Sequence, residues 1–268
     1  MTIAQRIASR LRARGRWLLS CALLLAGGAA AATVDEAQMI DTAGRQRMLT
    51  QRIVKAYCQV GLQVTPAVSR AQLVGAIDRF DTQLTTLAAS ASTAETRTAV
   101  KAVVNLWRGF RQTASGHVSR DGARALAARS EDVLQASQAL VLLLERDADT
   151  PEAKLINTAG RQRMLSQRMA KLYMLRAWRI DAPSAVQGDI EAAANQFAGA
   201  LAVLRAAPEN TAEIKRELEA VALQWEWFRS AIELQGAESY ALVVADASES
   251  ILNSMDLITA KYAQLARR

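Results

Sequence analysis

Apolar residues recur along most of the chain at intervals of three and four, the spacing of one face of an α-helix. One clear stretch contains Leu126, Val133, Leu134, Leu140, Val141 and Leu144. Strong helix formers dominate, and no stretch of alternating β-branched residues suggests a strand. The pattern predicts an all-α protein.

Prolines and glycines divide this pattern into segments. The four prolines lie between the periodic stretches, where proline suits the first turn of a helix. Gly61, Gly116 and Gly236 lie where helices should end. These signals predict eight helices, at residues 35–61, 67–90, 94–115, 120–147, 151–180, 184–207, 209–235 and 238–266.

The first predicted helix is repeated in the fifth. Residues 40–57, IDTAGRQRMLTQRIVKAY, return as residues 156–173, INTAGRQRMLSQRMAKLY, with thirteen of 18 positions identical. Weaker matches follow at offsets of 117 and 118, such as Phe80 with Phe197 and Trp107 with Trp225. The nearly constant offset predicts a duplicated module, and hence two tandem up-and-down four-helix bundles, at residues 33–148 and 149–268.

The first 32 residues have the order of an export signal. A stretch with five arginines and no acid is followed by the apolar run Trp17–Ala26 and by small residues up to Ala32. This order predicts a signal peptide, cleavage after Ala32, and a mature protein in the periplasm. The alternative is an uncleaved segment that anchors the chain in the inner membrane.

Composition narrows the classes of function. The net charge is +7, but beyond residue 32 there are 28 basic and 26 acidic residues, so the charge does not indicate nucleic-acid binding. One histidine, His117, and two cysteines exclude a Cys/His zinc cluster. No nucleophile–base pair, metal-ligand spacing or phosphate loop is present. We therefore expect neither an enzyme nor a cofactor or metal site.

The repeated segment places an arginine among small and apolar residues. On a helical wheel Arg47 lies on the same face as Ile40 and Val54. A buried charge is costly without a partner, and residues 157–173 contain no acid that could serve the second copy. An oxyanion could supply the counter-charge. The predicted ligand-binding residues are Arg47, Gln51 and Gly44 in the first copy and Arg163, Gln167 and Gly160 in the second.

The repeated glycines add a packing expectation. A glycine inside a helix costs about 1 kcal/mol relative to alanine, so we expect another backbone to approach closely at Gly44 and Gly160. An alternative for both arginines is an ion pair with an acid on another helix, or a head group that reaches water. The neighbouring arginines are expected on solvated faces: Arg45, Arg52, Arg161 and Arg168.

The repeated segment resembles the signature of the PilJ/NarX-like sensor domain family. This is the N-terminal periplasmic domain of type IV pili methyl-accepting chemotaxis transducers, similar to the input domain of nitrate/nitrite sensor kinases. The resemblance implies a four-helix bundle, and in the nitrate sensors the arginine that matches Arg47 and Arg163 binds the anion where two subunits meet. Arg45-Gln46 and Arg161-Gln162 replace apolar or small residues of those sensors, so the identity of the anion does not transfer.

These observations together predict an exported sensor or ligand-binding protein without its own output domain. Its expected partners are a nitrate- or nitrite-like oxyanion, a membrane-bound transducer or kinase, and a second copy in a homodimer. The alternative is a purely structural helical scaffold without a small ligand. The two modules could form a fused pseudo-dimer in which Arg47 meets Arg163. The short junction at Thr150-Pro151 instead favours an end-to-end rod that dimerises.

We predict that the mature chain begins near Thr33, because the basic, apolar and small-residue segments stand in the order of an export signal. Intact mass and N-terminal sequencing of periplasmic material measure this directly. A full-length chain recovered from the membrane fraction would support the anchored alternative.

Overall fold

The computed structural model describes residues 27–180, 183–233 and 240–267. Within these ranges the chain forms eight α-helices and no strand, which confirms the predicted all-α fold. The helices are α1 (Gly27–Gly61), α2 (Pro66–Ser90), α3 (Ala94–Ala114), α4 (Arg120–Ala148), α5 (Pro151–Ala177), α6 (Pro183–Ala206), α7 (Ala212–Glu233) and α8 (Tyr240–Leu265).

Most predicted helix ends agree with the structure within three residues, whereas α1 begins at Gly27 rather than at residue 35. The ends predicted at residues 235 and 238, and Gly236 between them, lie outside the described residues. The predicted signal peptide also lies mostly outside them, and its last six residues form the start of α1. None of the described helices combines the length and the hydropathy needed to cross a membrane.

Helix starts follow from side chains that bond to the backbone. The hydroxyls of Thr93, Ser119 and Thr150 each accept a hydrogen bond from the backbone N–H three residues further on, at 3.0–3.1 Å. These bonds satisfy amide groups that have no partner within the helix. Pro66 and Pro151 each occupy the first turn of a helix, where their missing N–H costs nothing.

The two modules have matching cores. Phe80 stacks on Trp107 with ring centroids 3.8 Å apart, and Phe197 stacks on Trp225 at 4.5 Å. All four side chains are buried. The pairs link α2 to α3 in the first module and α6 to α7 in the second, as the repeat predicted.

The modules lie side by side, so the predicted rod is wrong. Helix α1 packs along α5 more extensively than along any helix of its own module. The two helices run in the same direction: Ile40 and Ile156 line one small cleft, and Gly61 lies against Trp178, 21 and 22 residues further along the chain. The chain is therefore a fused pseudo-dimer.

The topology of the bundle explains this arrangement. Four helices that run alternately up and down return the chain to the end of the module at which it began. The two-residue gap between α4 and α5 then starts α5 beside residues 36–40 of α1. A short junction thus favours the parallel pairing of α1 and α5.

We predict that Phe80→Ala and Phe197→Ala each lower the free energy of unfolding by about 3–5 kcal/mol, because each removes a buried ring and leaves a cavity. Urea denaturation measures the loss. Leu223→Ala on α7 is the control, since that side chain is 70% exposed; its effect should stay within about 0.5 kcal/mol. Unequal losses at the two phenylalanines would contradict the equivalence of the cores.

Candidate functional site

Arg47 and Arg163 meet at the contact between α1 and α5. Both side chains are fully buried, and each points back toward the glycine one turn earlier, as helical side chains do. A methyl group on Gly44 would lie 3.3 Å from Nη2 of Arg47 and 3.5 Å from Nη2 of Arg163. On Gly160 it would lie 3.4 and 3.1 Å from the same two atoms. The predicted close approach is present, but guanidinium groups make it rather than another backbone.

Arg163 forms ion pairs with two carboxylates on other helices, the alternative that the sequence left open for it, although its Nε has no hydrogen-bond partner within the described structure. Its Nη1 donates to Oδ1 of Asp256 and its Nη2 to Oδ1 of Asp41, both at 2.6 Å. Burial lowers the pKa of Arg163, but the charges of Asp41 and Asp256 outweigh it, and the net shift is upward. The acids come from α8 and from the other copy of the repeated helix, outside residues 157–173.

Arg45 closes this cluster into a ring. Its Nε donates to Oδ2 of Asp41 at 3.1 Å and its Nη1 to Oδ2 of Asp256 at 3.0 Å. Each carboxylate therefore bridges Arg45 and Arg163. Burial raises the pKa of Asp41, but both arginines oppose it and the pKa lies below its usual range.

Arg47 has the opposite environment. Its Nη1 donates to Oε1 of Gln138 at 2.5 Å and its Nη2 to the backbone carbonyl of Asn157 at 3.4 Å. Among the described residues no carboxylate forms an ion pair with it, whereas its Nε lacks a hydrogen-bond partner just as Nε of Arg163 does. Burial, together with the charges of Arg163 and Arg161, lowers the pKa of Arg47 to about 9, against a smaller opposing effect of Glu145.

The difference between the two arginines follows from two positions of the duplication. Asn157 stands where the first copy has Asp41, and Gln138 stands where the second module has Asp256, at offsets of 116 and 118. Each replacement exchanges a carboxylate for a neutral amide. The repeat alignment carried this signal, but only the structure shows that these positions face the arginines.

The two predicted glutamines also differ. Nε2 of Gln167 donates to the backbone carbonyl of Ser248 at 3.0 Å. Gln51 is fully buried, and neither its amide oxygen nor its amide nitrogen has a hydrogen-bond partner within the described structure. Oε1 of Gln167 also has no partner within the described structure, so the two glutamines differ only in the hydrogen bond that Nε2 of Gln167 makes.

About one to two turns further along α1 and α5, ion pairs connect each module to the other. Nζ of Lys55 lies 2.5 Å from Oε1 of Glu249, and Nη2 of Arg52 lies 2.5 Å from Oε2. The equivalent set in the other half consists of Lys171 and Arg168 with Glu131, at 3.0 and 2.9 Å. Burial lowers the pKa of Lys55 and of Lys171 despite these partners.

The prediction that four arginines lie on solvated faces is wrong at three positions. Arg45, Arg52 and Arg168 are partly buried and ion-paired. Only Arg161 is exposed as predicted, and its Nη2 donates to Oε1 of Gln196 at 2.8 Å. The residues that the sequence analysis missed are the partners of these cations: Asp41, Asp256, Glu131, Glu249 and Gln138.

The remaining candidate groups lie away from this cluster or in the core. His117 is exposed, and Cys58 is buried within the first module. The described residues contain no group of three His, Cys, Asp or Glu side chains that could hold a metal ion.

Comparison with known proteins agrees with the repeat. The family model of the type IV pili methyl-accepting chemotaxis transducer N-terminal domain, PilJ, matches the chain twice, at residues 32–140 and 149–250. No curated protein and no solved structure matches the chain. The predicted module boundaries at residues 33–148 and 149–268 stay predictions.

We predict that Arg163→Met and Arg47→Met have different effects although the positions are equivalent. Arg163→Met should lower the free energy of unfolding by about 3 kcal/mol, because it leaves Asp41 buried without its main partner. Arg47→Met should cost less than about 1 kcal/mol, since it removes a buried charge that has no carboxylate partner. Denaturant unfolding of the two variants checks this, and equal losses would contradict it.

Proposed function

Because the chain belongs to the family of type IV pili methyl-accepting chemotaxis transducer N-terminal domains, in two tandem copies, we propose that it is a periplasmic sensory module that binds a small oxyanion between those copies. The bound state would be read by a membrane-bound transducer or kinase. The matched family supports a sensor-like helical domain, and the order of residues 1–32 supports export.

The observation that carries the proposal is the state of Arg47. A fully buried guanidinium with only neutral hydrogen-bond partners is costly, and its lowered pKa reflects that cost. An oxyanion at this place would neutralise the charge and accept a hydrogen bond from Nε. The amide of Gln51, one turn away, offers a further donor.

The position of the site suggests how binding could be transmitted. Arg47 lies where α1, α4 and α5 meet, so an anion bound there contacts both modules. A ligand shifts a conformational equilibrium only when it binds the two states with different affinity. An anion that needs groups from both modules meets this condition, because it binds best when α1 and α5 hold one arrangement.

One observation favours the structural alternative. The ring of Arg45 and Arg163 with Asp41 and Asp256 joins the modules without any ligand. In that alternative the other contacts between the modules are strong enough to hold Arg47 in a buried position despite the cost of its charge. Stabilisation by an anion separates the two functions, since a scaffold gains nothing from one.

We predict that at least one of nitrate, nitrite, sulfate and acetate raises the Tm of the purified protein relative to chloride at equal ionic strength. A ligand at 100 times its Kd adds about 2.7 kcal/mol of stability. Arg47→Met should remove the shift, whereas Arg216→Met, at an exposed position of α7, should keep it. If no anion shifts the Tm specifically, the structural alternative replaces the proposal.

A further inference from the structure

The contact between α1 and α5 has two half-sites with the same cations and different counter-charges. The first half-site consists of Arg45 and Arg163 with the carboxylates of Asp41 and Asp256. The second half-site has the equivalent Arg161 and Arg47, with Asn157 and Gln138 at the positions of the two acids. Two carboxylates are therefore missing from the second half-site.

The first half-site shows what this pair of arginines binds when its charge is balanced. Each of its carboxylates uses one oxygen for Arg163, at 2.6 Å, and the other for Arg45, at 3.0 or 3.1 Å. Two carboxylates held between two guanidinium groups form a ring of four charge-assisted hydrogen bonds. A ligand that reproduces this arrangement in the second half-site needs two carboxylates.

The second half-site is available to such a ligand. Arg161 is exposed and bonds only to the neutral Gln196 among the described residues, while Arg47 bonds to Gln138. Glu145 accepts a hydrogen bond from the side chain of Asn157, and within the described structure it forms no ion pair with either arginine. The half-site keeps an excess of positive charge.

A surface groove leads to this place. It has a volume of about 510 Å³ and lies between α4, α5 and α6. Its polar lining consists of two arginines, two acids and three glutamines: Arg161, Arg168, Glu131, Asp189, Gln135, Gln138 and Gln196. Glu131 is already paired with Arg168 and Lys171. Gln138 is partly exposed and stands between the groove and Arg47, so a rotation of its side chain opens the path inward.

We infer that the second half-site binds a small dicarboxylate, one molecule per chain, whose two carboxylates pair with Arg47 and Arg161 as Asp41 and Asp256 pair with Arg163 and Arg45 in the first half-site. Arg161 leaves Gln196 and becomes the second binding arginine beside Arg47. The amide nitrogens of Gln138 and Asn157 can donate to the ligand, where aspartates would repel it. The inference rests on the proposed function and specifies its ligand class and a further binding residue.

Isothermal titration of the whole protein with succinate, acetate and nitrate tests the ligand class. Succinate should bind at one site per chain, and acetate and nitrate at least tenfold more weakly. Arg161→Ala should weaken succinate at least tenfold without changing the Tm of the free protein, because this side chain is exposed. Arg216→Ala, at an exposed position of α7, is the matched control and should leave affinity unchanged.

A second variant supplies the two missing carboxylates as side chains of the protein itself. Gln138→Asp and Asn157→Asp, combined with Glu145→Ala to remove the carboxylate that contacts Asn157 and to match Ala263, make the half-sites alike, and should raise the Tm of the free protein while abolishing succinate binding. If nitrate or acetate binds and is lost in Arg47→Met but is unaffected by Arg161→Ala, the proposed function stands and the dicarboxylate site is refuted. Two succinate sites per chain would refute the one-sided arrangement, and no binding of any anion would overturn both.

Discussion

The burial of cations between α1 and α5 is the constraint on which the rest of the structure depends. Two arginines and two lysines, Arg47, Arg163, Lys55 and Lys171, are almost completely removed from water there. A buried charge is costly without a partner, and three of these cations have carboxylate partners, which come from outside the α1–α5 pair as well as from within it. Glu249 and Asp256 on α8, and Glu131 on α4, tie the central helices to their neighbours. These ion pairs thereby hold α4 and α8 against the central helices α1 and α5.

Helical periodicity and the repeat were enough to predict the fold class, the helices and the equivalent cores, because these depend on local pattern. Phe80 and Phe197 could be matched from their offset alone. The arrangement of the modules could not, because both a rod and a pseudo-dimer bury the same faces of the repeated helix. The partners of Arg163 were also out of reach, since Asp41 and Asp256 are 122 and 93 residues away in sequence.

Duplication within one chain allows equivalent positions on the two sides of the interface to carry different residues, which a homodimer does not allow. In a homodimer every substitution appears twice, on both sides of the axis. Here Asp41 and Asn157 occupy equivalent places with different charges, and so do Asp256 and Gln138. One half of the interface can therefore be neutralised within the protein, while in the other half no carboxylate of the described residues pairs with Arg47. The helical wheel placed both arginines on the apolar face but could not show that their counter-charges differ.

The short junction between α4 and α5 also determines how the pairing of α1 with α5 responds to dilution. Two separate subunits meet in a second-order reaction, so their association weakens as concentration falls. Here a two-residue connection starts α5 beside α1, and the encounter is intramolecular, with an effective concentration set by the chain itself. The paired state of the two helices is therefore as populated in a single molecule as in a concentrated solution, whatever the expression level of the protein.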